Sequence, residues 1–71
     1  MSANNFMRIQ RSRRQKGKWE VWVKDCETGA GHPEDVFDTK AEAVEWAAVN
    51  DYTEYGISIE PNDSPTIINQ Q

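Results

Sequence analysis

The chain alternates between apolar and polar positions in two places and cycles at a helical period in a third. From Phe6 to Arg14, Met7, Ile9 and Arg11 fall on one side, and Arg8, Gln10 and Ser12 on the other. From Lys18 to Asp25 the alternation is sharper, with Trp19, Val21 and Val23 set against Glu20, Trp22 and Lys24. Successive strand residues point to opposite faces, so this alternation, rich in Val and Trp, predicts two strands that each turn one face to a core. Between them, Gln15-Lys16-Gly17 suits a three-residue hairpin loop with Gly17 in the left-handed region. That loop pairs Arg14 with Lys18. Counting outward sets Ile9 against Val23, Arg11 against Val21 and Arg13 against Trp19. On the other face it sets Arg8 against Lys24, Gln10 against Trp22 and Ser12 against Glu20. A slip of one residue would expose Ile9, so burial constrains the register.

Residues 26–35 read as a loop, because Thr28-Gly29-Ala30-Gly31-His32-Pro33 is dense in chain-breaking residues. Val36-Phe37 predicts a short third strand. Thr39 and Glu42 then have the spacing of a capping box, which starts a helix from about Lys40 to Asn50. At about 100° per residue, Ala41, Val44, Ala48 and Tyr52 share one stripe. A helix this short is marginal alone and needs a sheet to hold it. Ile57-Ser58-Ile59 predicts a fourth strand, stopped by Pro61, and Thr66-Ile67-Ile68 has the composition of a further short strand. The fold class is α+β: a small antiparallel sheet of three to four strands with one helix packed on one face, in the order β-β-β-α-β. Residues 1–5 read as a disordered start, 6–60 as a single domain, and 61–71 as a turn and short strand or tail. The expected buried set is Ile9, Trp19, Val21, Val23, Val44, Ala48 and Ile57 or Ile59.

Length tightens this picture. A chain of 71 residues buries only about 60% of the surface its unfolded form exposes, so the core is thin and a private, enclosed active site is hard to build. One cysteine excludes an internal disulfide, and one cysteine with one histidine excludes a structural zinc site. No apolar run is long enough for a membrane span or a signal peptide, so a cytoplasmic setting and no membrane partner are expected. The net charge of −4 hides a division. Residues 1–18 hold six cations and no acid, a charge of +6, whereas 19–71 hold all twelve acids against Lys24 and Lys40, a charge of −10. Such polarity points to a charged macromolecular partner, although a small domain also needs charge for solubility.

Candidate chemistry is sparse. Cys26 and His32 make a conceivable thiolate–imidazole pair, but nothing in the sequence supplies an orienting third group. Glu34, Asp35 and Asp38 lack the spacing of a calcium loop, and Gly29-x-Gly31 is followed by His-Pro where a phosphate loop needs a helix start. No catalytic residue, cofactor, metal or small-molecule substrate is therefore expected. Two surfaces say more. The outer sheet face gathers Arg8, Gln10, Arg14, Lys18 and Lys24 around Trp22. Cations attract phosphate and an indole can stack on a base, which suits nucleic acid. Lys and Arg on exposed strands also discourage aggregation. Trp46 lies off the helical core stripe near Glu42 and Glu45, as a protein-contact anchor would, or else leans down to cover the sheet edge.

The segments Gly17-Lys18-Trp19-Glu20-Val21-Trp22-Val23 and Val36-Phe37-Asp38-Thr39-Lys40-Ala41-Glu42-Ala43, ending at Trp46, resemble a broad group of short bacterial and phage proteins with a Trp-x-Val strand and a Thr-Lys-x-Glu-Ala helix start. They are also similar to the amino-terminal arm-binding domain of phage-type integrases, which lays a helix-backed sheet into the DNA major groove. That similarity implies DNA contacts at Arg8, Gln10, Ser12, Lys18, Glu20, Trp22 and Lys24. Small size and polarised charge resemble, as a class, phage inhibitors of host machinery, including anti-CRISPR proteins. The resulting expectation is a non-enzymatic phage-type accessory protein that binds a host protein or protein–nucleic-acid complex as an inhibitor or regulator. The alternative is a sheet-based DNA-binding module.

Overall fold

The computed structural model describes residues 4–62. They form β1 (Asn5–Arg11), β2 (Trp19–Asp25), β3 (Gly31–Phe37), α1 (Lys40–Asn50) and β4 (Ile57–Ile59). The four strands make one sheet in the order β3-β2-β1-β4, with α1 on one face. The α+β class and the β-β-β-α-β order expected from the alternation are the observed ones. The sheet, however, is mixed and not wholly antiparallel, because β4 pairs parallel with β1. The reason is directional. Two hairpins make β3 run parallel to β1, and α1 carries the chain back to its starting end, so β4 must run the same way as β1.

The β1–β2 register differs from the expected one by two residues. Ile9 pairs with Val21, Met7 with Val23, Arg8 with Trp22 and Gln10 with Glu20. A shift of two preserves every face, so the inside and outside sets survive. It brings Met7 into the core opposite Val23 and Ile57. The loop is correspondingly longer, spanning 13–17 and closed by Ser12 N–H on the Lys18 carbonyl at 2.9 Å. Ser12 Oγ accepts from Gln15 N–H at 2.9 Å and ties the loop back to its base. Gly17 has φ of 88°, the left-handed conformation expected for it.

Residues 31–35 form strand, not loop. Asp25 Oδ1 accepts from the Glu27 and Thr28 amides at 2.7 and 3.0 Å, and Gly29 N–H donates to the Asp25 carbonyl at 2.9 Å, which makes a tight hairpin. β3 is an edge strand, where Pro33 has no ladder bond to forfeit on its free side. The register jumps between Val21↔Asp35 and Trp22↔Pro33, so the strand is bulged there. Its first five residues are exposed, which is why they lack an apolar signature. Asn5, read as part of a frayed start, belongs to β1, and its carbonyl accepts from Tyr55 N–H at 3.2 Å.

The buried apolar set is Met7, Ile9, Val21, Val23, Ala43, Ala47 and Ile57. Thr39 caps α1, accepting from Glu42 N–H at 3.1 Å. The helix face differs from the expected stripe. Ala43 and Ala47 touch the core, Val44 and Ala48 are half-buried, and Ala41 and Tyr52 are exposed. Alanine at the contact lets α1 lie close to the sheet. Trp46 and Val44 then flank it, about 60° and 100° either side of Ala43. Trp19, expected inside, is half-buried at the margin, with Arg11 and Lys40 each 5.6 Å from its ring. Thr66–Ile68 lies outside the described residues.

Candidate functional site

The outer sheet face does not hold a ring of free cations around an exposed indole. Arg8 lies flat. Its Nη1 donates to Ser58 Oγ at 2.5 Å and to the Asn62 carbonyl, which ties β1 to β4 and the turn after it. Trp22 is half-buried, and its Nε1–H donates to Glu20 Oε1 at 2.7 Å. Ser12 Oγ donates to the other carboxylate oxygen of Glu20 at 2.7 Å, and Arg14 stands 3.9 Å from it. Glu20 is only 3% exposed. Burial by itself would raise its carboxyl, but the bonds from Trp22 and Ser12 and the charge of Arg14 together hold it below the usual carboxylate value. Lys24 Nζ sits 5.6 Å from the Trp22 ring. Lys18 is drawn to Asp38 just ahead of α1. Gln10 lines a shallow depression with Arg13, Arg14, Glu20, Trp22 and Pro33. The expected cluster is thus assembled around a buried anion, and most of its charge is spent within the molecule.

The other flank of the fold is open. Trp46 leans onto Phe37, ring centroids 5.7 Å apart, and half covers the core edge. Beside this pair runs a groove of about 560 Å³ lined by Val36, Phe37, Asp38, Glu42, Glu45, Trp46, Val49 and Asn50. Val49 is 76% exposed, and Glu42 and Glu45 are exposed at the rim. Of the expected site residues, the structure therefore brings Trp46, Glu42 and Glu45 together. It separates them from Arg8, Gln10, Arg14, Trp22 and Lys24 on the opposite face, while Lys18 is tied to Asp38 at the margin of the groove. Phe37 and Val49 went unnoticed in the sequence. The signal was there: 42, 45, 46, 49 and 50 recur at three and four residues and make a second stripe on α1 beside the core stripe.

Cys26 is exposed beside Asn4, Glu27 and Tyr55. Desolvation and the charges of Asp25, Glu27 and Glu54 push its thiol above the ordinary value, the opposite of what a nucleophile needs. His32 Nε2 lies 2.8 Å from Glu34 Oε2, so its partner is a carboxylate. Among the described residues no group of three or more His, Cys, Asp or Glu side chains is placed to hold a metal ion. No helix among them is long and apolar enough to cross a membrane. No protein-family model, curated protein or solved structure matches the chain.

Proposed function

We propose that this chain is a non-catalytic accessory protein that docks on a protein partner through the flank formed by α1 and the end of β3. What carries the proposal is the groove in which Phe37, Trp46 and the exposed Val49 lie beside the rim acids Glu42 and Glu45. An aromatic anchor that the partner packs against and desolvates fully is the usual centre of a protein-binding hot spot. The resemblance to small phage proteins makes the partner class a host defence or nucleic-acid-processing protein, which such docking would inhibit or regulate.

A second reading, the sheet-based DNA module, rests on Arg13, Arg14 and Lys16, which are exposed together on the β1–β2 loop. It is the weaker one. Arg8, Lys18 and Lys24 are engaged internally, and a carboxylate sits beneath the face. The molecule's net charge of −4 also repels phosphate at long range.

The test is a pull-down from host lysate with the tagged full chain, with and without nuclease, beside a salt titration of labelled duplex DNA. Capture that survives nuclease and is lost in Val49→Asp fits protein docking. Duplex binding of micromolar strength at physiological salt, abolished by an Arg13→Gln, Arg14→Gln, Lys16→Gln variant and indifferent to Val49→Asp, would sink it.

A further inference from the structure

We infer that the groove takes a basic amphipathic helix, a segment with apolar residues on one face and Lys or Arg flanking them. This rests on the protein-docking reading and names the chemistry of the partner. Three observations select that occupant.

The first is charge. Asp38, Glu42 and Glu45 stand along the groove, and among the described residues no cation lines it. Among those residues Asp38 is matched by Lys18, while Glu42 and Glu45 form no ion pair. A cationic partner is steered in and an acidic one is repelled.

The second is backbone. An extended peptide would have to add to the β3 edge beside the groove. Pro33 offers no N–H, the ladder is bulged next to it, and Val36 N–H is already engaged by Asp35 Oδ1 at 2.8 Å. A strand would find few edge groups to pair with, whereas a helix needs none, because its own backbone is satisfied internally. Alongside α1 the groove follows a helix of 11 residues, about 16 Å long, which matches three turns of a partner.

The third concerns the chain's own tail. Residues 63–71 carry no Lys or Arg, so the rim charge does not select them. The described chain ends at Asn62, against Arg8 and next to β4. That is the opposite edge of the sheet from β3, and the opposite face from α1.

The experiment uses fluorescein-labelled peptides of about fourteen residues and anisotropy with the full chain. The probes are a Lys/Leu amphipathic helix, its Glu/Leu counterpart, and a Lys/Leu scramble without an apolar face. The variants are Val49→Asp and Glu42→Gln/Glu45→Gln. All three positions are exposed and Gln also suits the capping-box position at 42, so urea midpoints should stay close to wild type. The expected result is binding of the Lys/Leu helix alone. It should weaken tenfold or more in Val49→Asp and about fivefold in the double Gln variant, with the latter difference shrinking at high salt. If the Glu/Leu helix binds as tightly, or the Gln variant binds the Lys/Leu helix unchanged, the basic class is wrong. The groove reading then still stands provided Val49→Asp abolishes binding. If no peptide responds to Val49→Asp, the basic-helix occupant is overturned, and the docking reading falls with it when lysate capture is also unchanged in Val49→Asp. Equal binding of the scramble overturns the helical occupant.

Discussion

On the side of the sheet that carries α1, Met7, Ile9, Val21, Val23 and Ile57 are shut from water by Ala43 and Ala47. On the other side, which α1 does not cover, Ser12, Glu20 and Ser58 are just as inaccessible. The first face is closed by removing apolar area from water, the ordinary driving force. The second is closed by its own long side chains lying down. Arg8 reaches across Ser58 to Asn62, and Trp22 bends to Glu20. Lys24 lies over the indole. A small sheet with one helix has only enough apolar material for one face, so the other is sealed by hydrogen bonds. The lesson concerns charge counting: cations gathered on a strand face are not free cations once a buried carboxylate lies among them.

The comparison breaks first, if anywhere, at its apolar side. Ile9→Ala removes a fully buried side chain between Val21 and Ile59 and should cost about 3 kcal/mol. A domain of this size has a total stability on the order of 5 kcal/mol. The variant should therefore show a greatly lowered urea midpoint and measurable unfolding in buffer. A cost below that of altering the adjacent Arg8 would mean that the polar face holds the fold.

The next test strikes the polar face at its centre. Glu20→Ala leaves the Trp22 indole N–H and the Ser12 hydroxyl without their acceptor and should cost about 2 kcal/mol. The pH dependence follows from the depressed carboxyl. A group whose folded value lies below its ordinary one stabilises fully above that ordinary value, 4.5 here, and loses the contribution as pH falls through the folded value. Glu20→Gln has the same shape but no titration. The stability gap between wild type and Glu20→Gln should thus be widest near about pH 6 and narrow toward about pH 3. A constant gap would place the effect in shape alone.

A smaller loss is expected from Arg8→Ala, about 1 kcal/mol, because Ser58 keeps an acceptor in the Asn62 carbonyl at 3.1 Å and only the guanidinium bridge disappears. Chemical denaturation beside Ile9→Ala gives the ratio of the two faces directly.

These residues also show what the alternation could and could not reveal. Period two assigned Ile9, Val21 and Val23 to one face and Arg8, Trp22 and Lys24 to the other, and both assignments are the observed ones. It could not distinguish registers that differ by two, which keep every face. Those are separated only by whether Met7 finds a partner and by the Ser12–Gln15 bond in the loop. Val36-Phe37 marks only the end of β3; its first five residues were hidden because an exposed edge strand needs no apolar residue and tolerates Pro33. The helical period alone favours a stripe through the larger Val44, whereas the sheet takes the small Ala43 and Ala47 at closest approach. For the candidate site, Trp46, Glu42 and Glu45 were legible from their place on α1. Val49 carried the same signal, as a member of the second stripe on α1, but Phe37 did not, because it joins that site only when β3 is laid beside the helix.

The smallest expected effect sharpens the comparison most finely. Lys24 is half-buried with its ammonium 5.6 Å from the Trp22 ring, whose N–H is committed to Glu20. Lys24→Gln keeps a polar, flexible side chain and removes only the charge above the ring. At a partly solvated site that attraction is worth about 0.5 kcal/mol, close to the limit of a careful denaturation series. Salt screens the charge, so the difference from wild type should shrink further in about 1 M NaCl, where the Debye length falls to about 3 Å. Trp22→Phe supplies the control: it keeps a ring under Lys24 but removes the donor to Glu20, and it should cost more than Lys24→Gln. If the order is reversed, charge over the indole and not the Glu20 network seals the outer face. Lys24 would then have to be counted with the core of that face and no longer among its coverings.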